Sequence, residues 1–204
     1  MNDEYNRLHE YFKSFPGIGK RQAERFVYFI LGREEGWIKN FLGEIEKVRT
    51  GVRHCNDCRR IYKNKYNENF NLCEVCRSKV RDRQILAVVE KNSDGEIMLK
   101  KAAWTGLVFV LGGQYQIIEK KNVPEVHLAE LLRFVKKLLN EDQLKEILLC
   151  NSLNADGQFT ASILKQKILE MVEDESLSVP RITALGRGFS TGTELEYVDK
   201  ETLD

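Results

Sequence analysis

Four cysteines carry the plainest chemistry in this 204-residue sequence. Cys55 and Cys58 form one C-x-x-C pair, Cys73 and Cys76 a second, and fourteen residues lie between the pairs. Two such pairs let four thiolates close a tetrahedron around Zn²⁺, each pair taking two corners. Two disulfides or four reduced core thiols are the competing readings. Nothing in the chain points to an oxidising compartment, and idle thiols need no matched pairs, so one structural zinc per chain is predicted. Four thiolates leave no open position, and no water-activating role follows. Beyond Ile61, Phe70, Leu72 and Val75 the segment is poor in apolar residues, so the metal is expected to supply its folding free energy. Arg59, Arg60, Lys63, Lys65, Arg77, Lys79, Arg81 and Arg83 surround the ligands. They predict a metal-held knob with a basic skin, either a nucleic-acid or partner surface or simply a solvated face.

A second stretch points to phosphate. In Phe15-Pro16-Gly17-Ile18-Gly19-Lys20-Arg21, Pro16 stops one helix, and Gly17 and Gly19 are expected to allow a tight turn with positive φ. Backbone N–H groups at the next helix start can then approach a phosphate closely, with Lys20, Arg21 and Arg25 adding charge. Such a contact reads shape and charge rather than base sequence. The bland alternative is a helical hairpin with an exposed basic face.

The third group is acidic: Glu90 closes the apolar run Ile85–Val89, and Asn151-Ser152-Leu153-Asn154-Ala155-Asp156-Gly157-Gln158 follows another, Glu146–Cys150. Cys150, without a partner in spacing, reads as a buried strand thiol.

The elements that must position these groups fall in two parts. Residues 3–14, 20–31 and 37–51 carry apolar residues at helical spacing, and lead into the cysteine segment. From Gln84 onward, apolar β-branched runs at 85–90, 107–113, 146–150 and 179–185 alternate with helical patterns at 94–103, 125–139 and 157–172. Alternation of this kind implies βαβ units and a mainly parallel sheet, with functional residues at the carboxyl edge of the strands. The expected organisation is a helix-hairpin-helix module over 1–52, a four-cysteine zinc finger over 53–83, an α/β domain over 84–178 and a docking tail over 179–204.

Composition allows all of this. The chain is 42% apolar and 31% charged, with no apolar amino-terminal core like a signal peptide's and no run near the ~20 residues that span a bilayer. A cytoplasmic location with no membrane partner is expected. Its net charge of +1 hides an asymmetry: residues 1–85 hold 18 Lys+Arg against 12 Asp+Glu, a net of +6, and the remainder a net of −5. A basic front suits a protein that meets a polyanion with one end.

Glu90 and the 151–158 segment resemble a Toprim domain, the metal-binding fold of topoisomerases and primases. Its catalytic members join a strand-end Glu to an Asp-x-Asp pair around Mg²⁺, followed by Glu-Gly-Glu. Here Asn151 stands at the first Asp position, no Asp at the second, and Asp156-Gly157-Gln158 replaces Glu-Gly-Glu. Neutral amides supply no charge for Mg²⁺, so catalysis is disfavoured. The order of hairpin, four cysteines, acid-depleted Toprim domain and the closing G-R-G-F-S-T-G-T-E-L-E-Y-V-D (186–199) resembles the bacterial recombination mediator RecR family, and does so over essentially the whole chain. The last of these matches a family motif called Walker B-like.

That resemblance implies a non-catalytic clamp, a homotetrameric ring closed through its terminal regions around double-stranded or gapped DNA. It implies partners RecO and RecF, recombinase loading at gaps, and a nucleoid-associated setting. It carries DNA binding onto Gly17, Gly19, Lys20, Arg21 and Arg25, although Lys20 stands where the family has proline. It leaves Glu90, Asn151, Asp156 and Gly157 as a Toprim remnant or partner-binding set. The loop 114–124 departs from the family's S-P-L-D-G-I-G-P, with Glu119 at the Asp position. Phe189, Leu195, Tyr197, Val198 and Leu203 give the tail an apolar content that suits docking, on its own sheet or, as the resemblance implies, on a neighbouring subunit. A Mg²⁺-dependent Toprim enzyme and a protein–protein adaptor without DNA binding are the alternatives.

Overall fold

The computed structural model describes residues 3–63, 71–100, 104–117 and 126–185. The tail from residue 186, most of the divergent loop (118–124), and Lys65 and Phe70 therefore lie outside the described residues. The chain divides into two compact units, residues 1–52 and 53–204.

The first unit is helical. Helix α1 (Asp3–Lys13) ends where Pro16 and Gly17 enforce a turn, and α2 (Lys20–Leu31) starts one residue after Gly19. The two pair through aromatic contacts, with Tyr5 and Tyr28 ring centroids 5.9 Å apart and those of Phe12 and Phe26 5.5 Å apart. Ala23 and Val27 are fully buried on α2, at the i, i+4 spacing that puts them on one helix face. Helix α3 (Glu35–Thr50) buries none of its residues.

The short strand β1 (Val52–His54) runs across the boundary at residue 52 and pairs with β2 (Ile61–Lys63); the single-turn helix α4 (Glu74–Arg77) follows in the second unit. Then come β3 (Asp82–Val89), α5 (Asn92–Lys100), β4 (Gly106–Val110), α6 (Leu128–Asn140), β5 (Glu146–Cys150), α7 (Ala155–Asp174) and β6 (Arg181–Ala184). The four longer strands form one wholly parallel sheet in the order β4-β3-β5-β6, the α/β class that the alternating pattern implies.

Strand alternation splits the core cleanly. Leu86 and Val88 of β3 join Leu107, Phe109, Ile147 and Leu149 on one face, with Leu131, Phe134 and Leu138 of α6 and Leu164 and Ile168 of α7. Ala87, Val89, Val108 and Val110 turn to the other face, where Met98 and Leu99 of α5 pack. The smaller residues on this side match a closer helix, since a Cβ on Gly95 of α5 would stand 3.4 Å from Val108 Cγ1. All five residues of β4 are buried, as is usual for a parallel sheet covered on both faces. Among the described residues no helix is long and apolar enough to cross a membrane.

The cysteine segment does not stand apart as a knob. Cys55, Cys58, Tyr62, Cys73, Val75 and Cys76 belong to the same apolar cluster as α6, α7 and one face of the sheet. Val110 N–H donates to Cys58 O at 2.9 Å, Ile61 N–H to Asn92 Oδ1 at 2.8 Å, and Arg133 to Asn56 O at 3.0 Å. The expectation of metal-dominated folding missed this packing because Tyr62 and the thiols themselves supply the apolar surface.

Candidate metal centre, hairpin turn and strand-end site

Each cysteine pair sits where the backbone turns back on itself. Arg59 N–H donates to Cys55 O at 3.0 Å and Cys55 N–H to Arg60 O at 2.8 Å, closing the first knuckle. Cys73 is the N-cap of α4 and Cys76 lies within it. All four cysteines are buried, and their Sγ atoms lie within 4.8 Å of one another, with Cys58 and Cys73 3.5 Å apart. Metal–sulfur bonds of ~2.3 Å in a tetrahedron place sulfurs roughly 3.8 Å apart, so the four fit one metal ion. Bridging inside a pair, as two disulfides would require, finds no support, since all four cysteines are free thiols. Hydrogen bonds from Cys58, Cys73 and Cys76 hold the Cys55 thiol far below its usual range, while hydrogen bonding with Cys55 pushes Cys58 and Cys76 up. A buried thiolate quartet cannot all ionise without a cation among them.

The expected basic skin is engaged in part, and Lys63, Arg77 and Lys79 are exposed. Arg60 is 4% exposed, and its guanidinium spans Glu96 Oε1 at 2.7 Å, Glu74 Oε1 at 3.3 Å and Cys73 Sγ at 3.8 Å. Arg81 donates to Trp104 O, and Arg83 to Gln143 and the carbonyl of Cys76. Sequence reasoning put Arg60 on the surface because flanking charge usually is; its burial depends on Glu96, 36 residues away on α5.

At the hairpin, Gly17 takes φ +75°, which the turn needs and a side chain rarely tolerates. Gly19 does not share that role: at φ −85° and ψ 171° it is the extended N-cap of α2. No side chain caps this helix; Gln22 N–H donates to Gly19 O at 3.0 Å, which leaves Lys20 and Arg21 as the first-turn residues whose N–H groups have no preceding turn to donate to. Lys20, Arg21 and Arg25 are all exposed there.

At the strand ends, Glu90 is 3% exposed and already occupied. Ser152 donates to it twice, from N–H at 2.6 Å and from Oγ at 2.8 Å. Asn154 caps α7 by accepting from Gly157 N–H at 2.7 Å. Asp156 Oδ1 accepts from Ile117 N–H at 3.1 Å, and Thr160 Oγ1 from Tyr115 N–H at 2.8 Å, so α7 holds the 115–117 stretch. Both polar atoms of the Asn151 side chain are buried without a hydrogen-bond partner. Among the described residues, the only group of three or more His, Cys, Asp or Glu close enough to share a metal ion is the cysteine quartet. In this structure Glu90 and Asp156 each hold a loop, Glu90 through Ser152 and Asp156 through Ile117.

Curated relatives agree over nearly the full length. The chain is 27% identical to the recombination protein RecR of Limosilactobacillus reuteri, across 97% of this chain and 90% of that protein. The RecR proteins of Enterococcus faecalis and Bifidobacterium longum are 28% and 29% identical, again across 97% of this chain. This chain is similar to the RecR proteins along nearly its whole length. No family model matches it.

For a RecR-like chain, the hairpin and the cysteine quartet are where the motifs place them. What the motifs did not show is the Ser152–Glu90 latch. The signal was available, since a serine directly after Asn151 can reach back to a strand-end acid, but only register between β3 and β5, with Val89 opposite Cys150, brings them together.

Proposed function

We propose that this chain is a non-catalytic, DNA-binding clamp subunit of recombinational repair, acting at gapped DNA with RecO and RecF to load recombinase. The observation that carries the reading is similarity to RecR proteins along 97% of the chain, at a strand-end site whose one buried acid is spent on Ser152. Zinc is the ion assigned to Cys55, Cys58, Cys73 and Cys76, because a closed four-thiolate set suits it. Its work is structural: it neutralises the buried thiolates and ties the two knuckles together beneath β4.

DNA contact is assigned to the hairpin. Gly17 and Gly19 let the backbone come near a phosphate, the uncapped start of α2 offers N–H groups, and Lys20, Arg21 and Arg25 add three exposed cations. A second copy of the chain is the proposed cover for α3, where Leu42, Ile45 and Val48 are 58%, 50% and 63% exposed; a ring of four such subunits encircles the duplex. The location is cytoplasmic, at the nucleoid.

A gel shift with duplex DNA across a salt series tests the reading. Binding should be indifferent to sequence and fall steeply with salt, and Arg21→Ala/Arg25→Ala should weaken it at least about tenfold at low salt. Unchanged binding by that variant removes the hairpin from the contact surface. Plasmid cleavage dependent on Mg²⁺ and lost in Glu90→Gln would replace the clamp with an enzyme.

A further inference from the structure

A cleft of about 410 Å³ opens beside the first cysteine knuckle, lined by Asn56, Asp57, Arg59, Glu130 and Arg133. Its volume lies inside the ~300–1,000 Å³ range of small-ligand pockets. We propose that this cleft binds a phosphate group between the guanidinium groups of Arg59 and Arg133.

The backbone supplies the first reason. Arg59 follows Cys58 at φ +61°, in the left-handed region that closes the knuckle and that glycine occupies without strain. An arginine there costs on the order of 1 kcal/mol over glycine, and what it adds is a guanidinium at the cleft. That guanidinium is under-used. Its Nε is buried without a hydrogen-bond partner, and the nearest carboxylate oxygen, Glu130 Oε1, stands 3.9 Å away, beyond hydrogen-bonding range.

The second reason is the opposite wall. Arg133 of α6 spends Nη2 on Asn56 O at 3.0 Å, which fixes its plane and leaves most of its five donors for a ligand. Asp57 is matched by Lys137 at 2.7 Å. Glu130, which also faces His127 Nδ1 at 3.9 Å, is then the one carboxylate among the lining residues not closed by a hydrogen-bonded ion pair. A planar carboxylate is satisfied by a single arginine fork. Two forks from different elements suit a tetrahedral oxyanion with more acceptors, and so a phosphate.

The phosphate could be free or could end a DNA strand, and the test separates these. Zinc-loaded, full-length protein is dialysed to equilibrium against radiolabelled inorganic phosphate. In parallel its affinity is compared for one oligonucleotide with and without a 5′-phosphate. Arg59→Gly is the informative variant, because glycine relieves the backbone and should leave thermal stability unchanged or raised. It should weaken phosphate binding at least about tenfold, the loss expected for hydrogen bonds to a charged group. Arg133→Gln, which keeps the backbone untouched, should do the same. Arg21→Ala/Arg25→Ala should leave phosphate retention as it is, so failure of the hairpin reading and failure of this one remain distinct. A 5′-phosphate preference that vanishes in Arg59→Gly assigns a strand end; retention of inorganic phosphate with no such preference assigns a free anion. No retention of phosphate together with no preference, or wild-type binding by both variants, overturns the site.

Discussion

Gly157 is the least replaceable of the strand-end residues. A Cβ built there would stand 2.1 Å from Ser152 O, a backbone atom that cannot move without breaking the Ser152–Glu90 latch. Gly157→Ala should cost about 3 kcal/mol by the overpacking mechanism, read as a lower urea midpoint with little change in slope. Glu90→Gln keeps the shape but exchanges a charged acceptor for a neutral amide, and should cost about 2 kcal/mol. If Glu90 were instead a Mg²⁺ ligand, millimolar Mg²⁺ would stabilise the wild type and not the variant; no such shift is expected. Cys150 is half-buried at the end of β5, and burial, aided by Asp94, raises its thiol to about 11. The unfolded thiol ionises first, near its ordinary value, so this group's contribution to stability is complete below about 9 and is lost as pH rises through about 11. Alkylation of Cys150 by iodoacetamide should accordingly stay slow at neutral pH and accelerate only in the upper part of that window. The sequence marked Cys150 as a strand thiol because it ends Ile147-Leu148-Leu149. It could not show that Asn151 keeps both polar atoms buried and unpaired, because that depends on how the loop around Ser152 folds.

Among the elements, the parallel strands were the most legible, since a continuous apolar run such as Leu107–Val110 is buried on both faces wherever it lies in the sheet. Helix α2 was legible for a related reason: Pro16 and Gly17 punctuate its start, and Ala23 and Val27 mark its inner face. The cysteine knuckles were legible as ligands but not as packing. Their attachment runs through Val110, Asn92, Glu96 and Arg133, residues scattered along the chain that no local pattern connects. Removal of the metal should therefore loosen more than residues 53–83. Chelation with a zinc-specific ligand should expose all four thiols to a colorimetric reagent and lower the melting temperature of the α/β unit. Release of the metal with that transition unmoved would mean the knuckles are passengers on the sheet. Helix α3 presents the opposite case, a helix that packs Trp37 near Phe29 but leaves Leu42, Ile45 and Val48 exposed. Leu42→Ser/Ile45→Ser should leave the monomer folded, since neither side chain is buried, and shift the mass in light scattering toward a single subunit.

For the molecule as a whole, the charge asymmetry and the spent strand-end acid favour holding DNA over cutting it. The basic first 85 residues, net +6, include the hairpin cations, and the acidic remainder includes the sheet domain. The proposed clamp would owe its grip to two separable contributions: phosphate contacts, which salt screens, and topological linkage, which salt does not. Retention on DNA circles measures the second directly. Protein loaded on a nicked circular plasmid should leave a salt-resistant fraction after a wash at about 0.5 M salt, where phosphate contacts are largely screened, and that fraction should be released when a restriction enzyme linearises the circle. Equal loss from circular and linear DNA in the same wash would contradict an encircling ring.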